Sequence, residues 1–185
     1  MANDDSAREQ LAALVLARGY ERRETPFQLT SGGWSRDYID GKHAIARGDS
    51  LRLASQAVID AVGQPFDAVG GPTMGADALA HGVALLSGAG WFSVRKEPKG
   101  HGRLSWVEGT RLEAGDRVVF VEDVVSTGAS LLRAVDRVVE LGVQTVAAVT
   151  LLDRGTEAAA GFEARGISYQ PLLTYADLGI EPLSA

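Results

Sequence analysis

The run Val118-Val119-Phe120-Val121-Glu122-Asp123-Val124-Val125-Ser126-Thr127-Gly128-Ala129-Ser130 constrains this chain more than any other stretch. Its four opening apolar residues predict a strand at Val118–Val121, because a short all-apolar run bounded by polar residues fits a strand covered on both faces. Two adjacent carboxylates, Glu122 and Asp123, close that strand. A turn of small and hydroxylated residues follows, and Leu131-Leu132-Arg133-Ala134-Val135 opens an amphipathic helix. Backbone N–H groups at such a helix start can hold a phosphate. Gly128 permits a positive φ and a close approach by the ligand. Ser126, Thr127 and Ser130 add hydroxyl donors, while Glu122 and Asp123 can accept from vicinal ribose hydroxyls or hold a hydrated divalent cation. The combination describes a site for a phosphorylated sugar. The plainer alternative is an ordinary strand–turn–helix in which Asp and Ser only cap the helix; the acidic pair ahead of this turn favours the functional reading.

Around that unit the pattern alternates. Asp4, Asp5 and Ser6 offer N-caps for a helix through about Arg18, with Leu11, Leu14, Val15 and Leu16 as its apolar stripe. Residues from about Glu24 to Gly48 carry turn clusters and short extended pieces, with Gly32-Gly33 as a turn. A helix near Ser50–Val62, a strand at Phe66–Val69, a helix near Ala76–Leu86 and a strand at Trp91–Val94 follow. A polar segment from Lys96 to Gly109 interrupts the alternation. The strand at Val118–Val121, a helix at Ser130–Leu141 and a strand at Thr145–Leu152 restore it. Strands alternating with helices predict a parallel sheet covered on both faces. The expected organisation is one domain over 1–185, with a helix and flap in about 1–48 and an α/β core in about 49–185.

Composition narrows the function classes. Acidic residues exceed basic ones by 24 to 18, for a net charge of -6, which disfavours a general nucleic-acid binder. The absence of cysteine excludes disulfides, thiolate metal sites and cysteine nucleophiles. The acidic start, Met1-Ala2-Asn3-Asp4-Asp5, leads into a polar helix rather than a signal peptide. No apolar run approaches the ~20 residues a bilayer span needs, so the cytoplasm is the expected compartment.

A second constellation is basic. Val94-Arg95-Lys96-Glu97-Pro98-Lys99-Gly100-His101-Gly102-Arg103 directly follows a predicted strand, and its proline and glycines argue against a helix. Taken alone it is a solvated surface loop. Beside a phosphate site it suits a lid that closes on a polyanion and excludes water. Gly70-Gly71-Pro72-Thr73-Met74-Gly75-Ala76 is a third candidate, a glycine-rich strand-to-helix turn able to present N–H groups to pyrophosphate. It lacks the Gly-Lys-Ser/Thr of a Walker A loop.

The 118–130 run resembles the phosphoribosyl pyrophosphate (PRPP) signature of the type I phosphoribosyltransferases. The Arg95-Lys96-x-x-Lys99-x-His101 spacing is similar to the mobile catalytic loop of the orotate phosphoribosyltransferases within that family. Gly71, Pro72, Thr73 and Met74 look like the family's pyrophosphate loop. Leu152-Asp153-Arg154 resembles the strand end whose arginine binds the orotate carboxylate, and a planar guanidinium suits a carboxylate; alone, Arg154 would read as an ion-pair partner of Asp153. Phe27 to Asp40 is similar to the family's N-terminal Leu-x-Ser-Gly-x-x-Ser-x-x-Tyr segment. Departures occur at Thr30, where many relatives have lysine, at Thr73-Met74, where they have Tyr-Lys, and in Arg103-Leu104-Ser105-Trp106-Val107-Glu108, which is not the usual glycine-rich continuation.

The resemblance implies a type I phosphoribosyltransferase fold, a mainly parallel sheet flanked by helices with a small N-terminal hood. It implies transfer of ribose 5-phosphate from PRPP to orotate. PRPP would be bound by Arg95, Lys96, Lys99, His101, Glu122, Asp123, Val124, Val125, Ser126, Thr127, Gly128, Ala129 and Ser130. Orotate would be bound by Ser126 and Arg154, with Lys99 and Asp123 as catalytic residues. It implies Mg2+ held through PRPP and water near Glu122 and Asp123 rather than by direct protein ligands. A homodimer whose basic loop reaches the neighbouring site is implied likewise. Two other readings stay open: a transferase for another base such as a purine, and a regulator that senses PRPP without turnover. His43 and His81 read as structural, and Trp34 and Trp91 as packing residues.

Overall fold

A computed structural model describes residues 2–28, 33–98 and 106–181. In chain order its elements are α1 (Ala2–Arg18), β1 (Tyr20–Gln28), β2 (Trp34–Ile39), α2 (Gly41–Ala44), α3 (Gly48–Val62), β3 (Ala68–Pro72), α4 (Asp77–Ser87), β4 (Gly90–Val94), β5 (Val107–Gly109), β6 (Arg117–Val125), α5 (Ala129–Val139), β7 (Gln144–Asp153), α6 (Ala158–Glu163) and β8 (Tyr169–Thr174), closed by a 3-10 turn at Ala176–Leu178. Six strands form one sheet in the order β5-β4-β3-β6-β7-β8, and β1 with β2 makes a separate hairpin. Within the large sheet only the β4–β5 pairing is antiparallel.

The apolar run of β6 behaves as a strand buried on both sides must. Successive side chains point to opposite faces, so Val119 and Val121 join the layer packed by α1, α3 and α4. Val118 and Phe120 join the layer packed by α5 and α6. All four are fully buried. Phe120 meets Phe92 of β4 edge to face, with ring centroids 5.6 Å apart, the arrangement the ring quadrupoles favour. Leu11 and Val15 anchor α1 in the first layer beside Val149 and Leu173.

Several expectations require correction. The acidic pair does not end β6; the strand runs on to Val125, with Glu122 opposite Thr150 and Val124 opposite Leu152 of β7. Local sequence marks carboxylates as a strand end, but neighbouring strands supply ladder partners that carry the strand through them. The strand expected at Phe66–Val69 spans Ala68–Pro72, and α5 begins at Ala129 and stops at Val139. The polar segment from Lys96 to Gly109 contains the short edge strand β5. The 24–48 region, expected as turns and short pieces, holds most of the hairpin. Its first strand is exposed at most positions, so it carries no apolar alternation to read. Its proposed Gly32-Gly33 turn lies partly outside the described residues.

Trp34 is not packed as expected: it is 68 % exposed at the start of β2. Trp91 is 40 % exposed and meets His81 edge-on, with ring centroids 4.6 Å apart. The sequence gives no warning of β8, where Pro171 interrupts the donor pattern of the strand. An edge position tolerates this, and β8 is the edge strand beyond β7.

Candidate active site

The C-terminal ends of β3, β6 and β7 open together onto a cavity of about 580 Å³. Open α/β sheets commonly bind ligands at that edge. Pro72, Thr73, Met74, Lys96, Glu122, Asp123, Val124, Val125, Ser126, Thr127, Gly128, Ala129, Ser130 and Arg154 all line it. Residues of four motifs that stand apart in the sequence therefore meet in one place. Gly71 lies behind the lining, in β3. Arg95 is turned aside, its guanidinium bonded to the Glu97 carbonyl at 3.2 Å and to Glu108 at 3.4 Å. Lys99 and His101 fall outside the described residues, as do Thr30 and Arg103.

The turn between β6 and α5 has the backbone its sequence requires. Gly128 adopts φ 71°, immediately before α5, a conformation that costs a residue with a Cβ. Thr127 Oγ1 accepts from the Ala129 N–H at 3.4 Å, and Ser130 Oγ accepts from Arg133 at 3.2 Å. Across the cavity, Thr73 donates to Asp77 at 2.8 Å, and Asp77 also accepts from Ser93 of β4 at 2.6 Å. That carboxylate fixes the turn between β3 and α4 to its neighbouring strand. The Met74 side chain is exposed at the cavity rim.

Glu122 and Asp123 are each only 7 % exposed. Two glycines let other segments approach them. A Cβ on Gly75 would run into Glu122 Oε1 and Asp123 Oδ1, and one on Gly41 would lie 2.9 Å from Asp123 Cβ. Gly41 thereby lets α2 press against the strand and deliver Lys42, whose Nζ stands 3.3 Å from Asp123 Oδ2 and 3.4 Å from Asp40 Oδ1. Asp40 in turn caps α2 by accepting from the His43 N–H at 3.0 Å. Lys42 and Arg133 line the cavity but belong to no motif read from the sequence, whereas Gly75 stands in the glycine-rich turn without an assigned role of its own. The available signal for Lys42 was position: it follows directly on the hood segment that ends at Asp40.

Burial pushes the Glu122 carboxyl well above the ordinary glutamate range, the Asp123 charge adds to that, and Lys42 opposes it. Burial alone would pull the Lys42 ammonium down, but Asp123 and Asp40 outweigh it and the net shift is upward. A raised Glu122 pKa means that the folded protein holds this proton more tightly than the unfolded chain. Its stabilising contribution is full below the ordinary glutamate range and is lost as pH rises through the raised value. Replacing Lys42 with methionine removes the opposing cation and extends that loss to higher pH. Melting curves of Lys42→Met and the parent should therefore diverge as pH rises through that window; parallel curves would reject the coupling.

Arg154 sits where β7 ends. Its Nε donates to Ser126 Oγ at 2.6 Å, and its backbone N–H donates to the Val125 carbonyl at 3.0 Å. The ion pair with Asp153 that Arg154 taken alone would suggest is not formed. Asp153 is buried and accepts from the Gly155 N–H at 2.9 Å and the Tyr169 hydroxyl at 2.8 Å. Burial raises its carboxyl, partly offset by those two bonds. Asp153 thus ties the strand end to β8 and leaves the Arg154 guanidinium facing the cavity. Among the described residues no group of three or more His, Asp or Glu side chains is placed to hold a metal ion directly, and none of their helices is long and apolar enough to cross a membrane.

Comparison with known proteins agrees with this geometry. The profile of the phosphoribosyl transferase domain matches residues 43–160. The orotate phosphoribosyltransferase of Methanothermobacter thermautotrophicus is 37% identical over 175 residues, covering 95% of this chain and 96% of that protein. The crystal structure of Mycobacterium tuberculosis H37Rv orotate phosphoribosyltransferase in complex with PRPP superimposes with a TM-score of 0.78 at 33% identity, covering 94% of this chain and 99% of that one. The Aeropyrum pernix orotate phosphoribosyltransferase gives a TM-score of 0.80 at 31% identity over 91% of this chain and 95% of its own. With the type I fold and the extent of these matches in agreement, the chain belongs to the orotate phosphoribosyltransferase family.

Proposed function

We propose that this chain transfers ribose 5-phosphate from PRPP to N1 of orotate, giving orotidine 5′-phosphate and pyrophosphate. The observation that carries the reading is the meeting of the signature turn, the pyrophosphate turn, Lys96 and Arg154 around one cavity. The 124–130 turn and the first turn of α5 take the 5-phosphate through backbone N–H groups and the hydroxyls of Ser126, Thr127 and Ser130. Glu122 and Asp123 accept from the ribose hydroxyls, with Lys42 holding Asp123 in place. The turn at Gly71, Pro72, Thr73 and Met74 takes the pyrophosphate. Arg154, oriented by Ser126, pairs with the orotate carboxylate.

As the N1–C1 bond forms with release of the N1 proton and the bond from C1 to pyrophosphate breaks, C1 gains oxocarbenium character and negative charge grows on the leaving group. Catalysis is then chiefly positioning and electrostatic stabilisation. Lys99 is the first choice for the charge that meets the departing pyrophosphate, assisted by Arg95, Lys96 and His101. The two buried carboxylates suit coordinated water and ribose hydroxyls rather than a full set of direct metal ligands, so Mg2+ would be held near Glu122 and Asp123 through PRPP and water. When bound it supplies charge neutralisation on the pyrophosphate oxygens. The chain acts as one domain over 1–185, in the cytoplasm, as a homodimer whose basic segment reaches the neighbouring site.

Ultraviolet absorbance of orotate, mixed with the protein, PRPP and Mg2+, tests the reading. Loss of the orotate band that requires all three additions is the expected result. A protein that binds PRPP but leaves orotate untouched would hand the site to another base or to a sensing role.

A further inference from the structure

The basic segment is rooted in the fold by a residue that no motif marks. Arg137 lies on α5, whose first turn lines the cavity and whose buried face, Leu131, Ala134, Val135 and Val138, fixes it to the sheet. Its Nη1 donates to the Arg95 carbonyl at 2.8 Å. Its guanidinium carbon also stands 3.7 Å from the centre of the Trp106 ring. Arg95 and Trp106 are themselves joined, the Arg95 N–H donating to the Trp106 carbonyl at 2.8 Å. They form the rung beyond the Val94–Val107 pair of the β4–β5 ladder. One side chain therefore grips both roots of the segment between Arg95 and Trp106.

The chemistry explains why arginine stands there. A planar guanidinium can stack on an indole face while donating in its own plane, which an ammonium cannot do. Trp106, a departure from the glycine-rich continuation of relatives, supplies the face. We propose that Arg137 is a positioning residue for the transfer reaction, fixing both roots of the basic segment to the helix that begins at the phosphate turn. Both ends of the segment whose sequence carries Lys96 and Lys99 are thereby held relative to the turn that takes the 5-phosphate. This rests on the reading of that segment as the one that meets pyrophosphate.

The test compares Arg137→Lys and Trp106→Leu with the parent, alone, together, and each combined with Lys99→Ala. Arg137→Lys keeps the charge and loses the stack. It should lower kcat about fivefold, in keeping with the strength of a partly buried cation–π contact. KM for orotate and the affinity for inorganic phosphate should hold. Trp106→Leu should match it, and the double variant should lose little more than either, because the pair acts as one unit. In the Lys99→Ala background Arg137→Lys should have almost no further effect. Parent-level kcat in Arg137→Lys, losses that multiply with that of Lys99→Ala, or an equal loss of phosphate affinity would each overturn the proposal. Full turnover by Lys99→Ala would instead overturn the reading of the segment beneath it.

Discussion

Alanine in place of Arg154 is expected to lower kcat/KM for orotate by roughly 100-fold, while PRPP still binds. The guanidinium is held before any substrate arrives. Ser126 Oγ takes its Nε at 2.6 Å, and the backbone N–H is fixed to the Val125 carbonyl at 3.0 Å. Burial raises the nearby Tyr175 phenol, and Arg154 pulls it back. Preorganisation of this kind spares the ordering cost that a free side chain would incur on binding. A paired, charge-assisted contact with a carboxylate contributes at least ~3 kcal/mol, about two hydrogen bonds to a charged group. That corresponds to roughly two powers of ten. Steady-state kinetics with each substrate varied, together with calorimetric titration of PRPP, checks it. Unchanged kcat/KM for orotate would remove Arg154 from the carboxylate site; equal losses for both substrates would point to a damaged fold.

The second large effect is on stability. Gly71→Ala is expected to lower the melting temperature by about 6–12 °C, from ~3 kcal/mol of overpacking at ~2–4 °C per kcal/mol for a chain of this size. Gly71 lies in β3, between β4 and β6. A Cβ there would enter the space of the Val121 carbonyl oxygen and stand 2.7 Å from Ala76 Cβ. The carbonyl belongs to the central strand and cannot step aside as the tip of a long side chain can. Gly48→Ala is the control. At the first position of α3, nothing lies within 4 Å of an added Cβ, so its melting temperature should stay near that of the parent or rise slightly. Near-parent melting of Gly71→Ala by circular dichroism would show that β3 can shift outward.

The sequence by itself determined the elements whose residues carry a period or a turn signature. An unbroken apolar run such as Val118–Val121 has few folded uses other than a two-sided strand. Gly128 was legible as the positive-φ position because glycine takes that conformation at no steric cost. The 122–130 run, the glycine-rich turn after β3 and Leu152-Asp153-Arg154 were likewise legible as cavity-forming segments, since each is a contiguous run with its own backbone logic. Tertiary structure alone decided what depends on neighbours distant in the chain. Ladder partners on β7 carried β6 through Glu122 and Asp123 and buried two carboxylates that local propensity places at a strand end. Gly41 and Gly75 mattered only because other segments close upon that pair, and Lys42 gained its part at the cavity through the same approach. Asp153 turned from Arg154 to Tyr169 because β8 stood alongside. Arg137 and Trp106, 31 positions apart in the sequence, became partners only when α5 packed under the exit of β4. A sequence displays local propensity and contiguous motifs, whereas contacts between distant segments come into being only with the packed sheet.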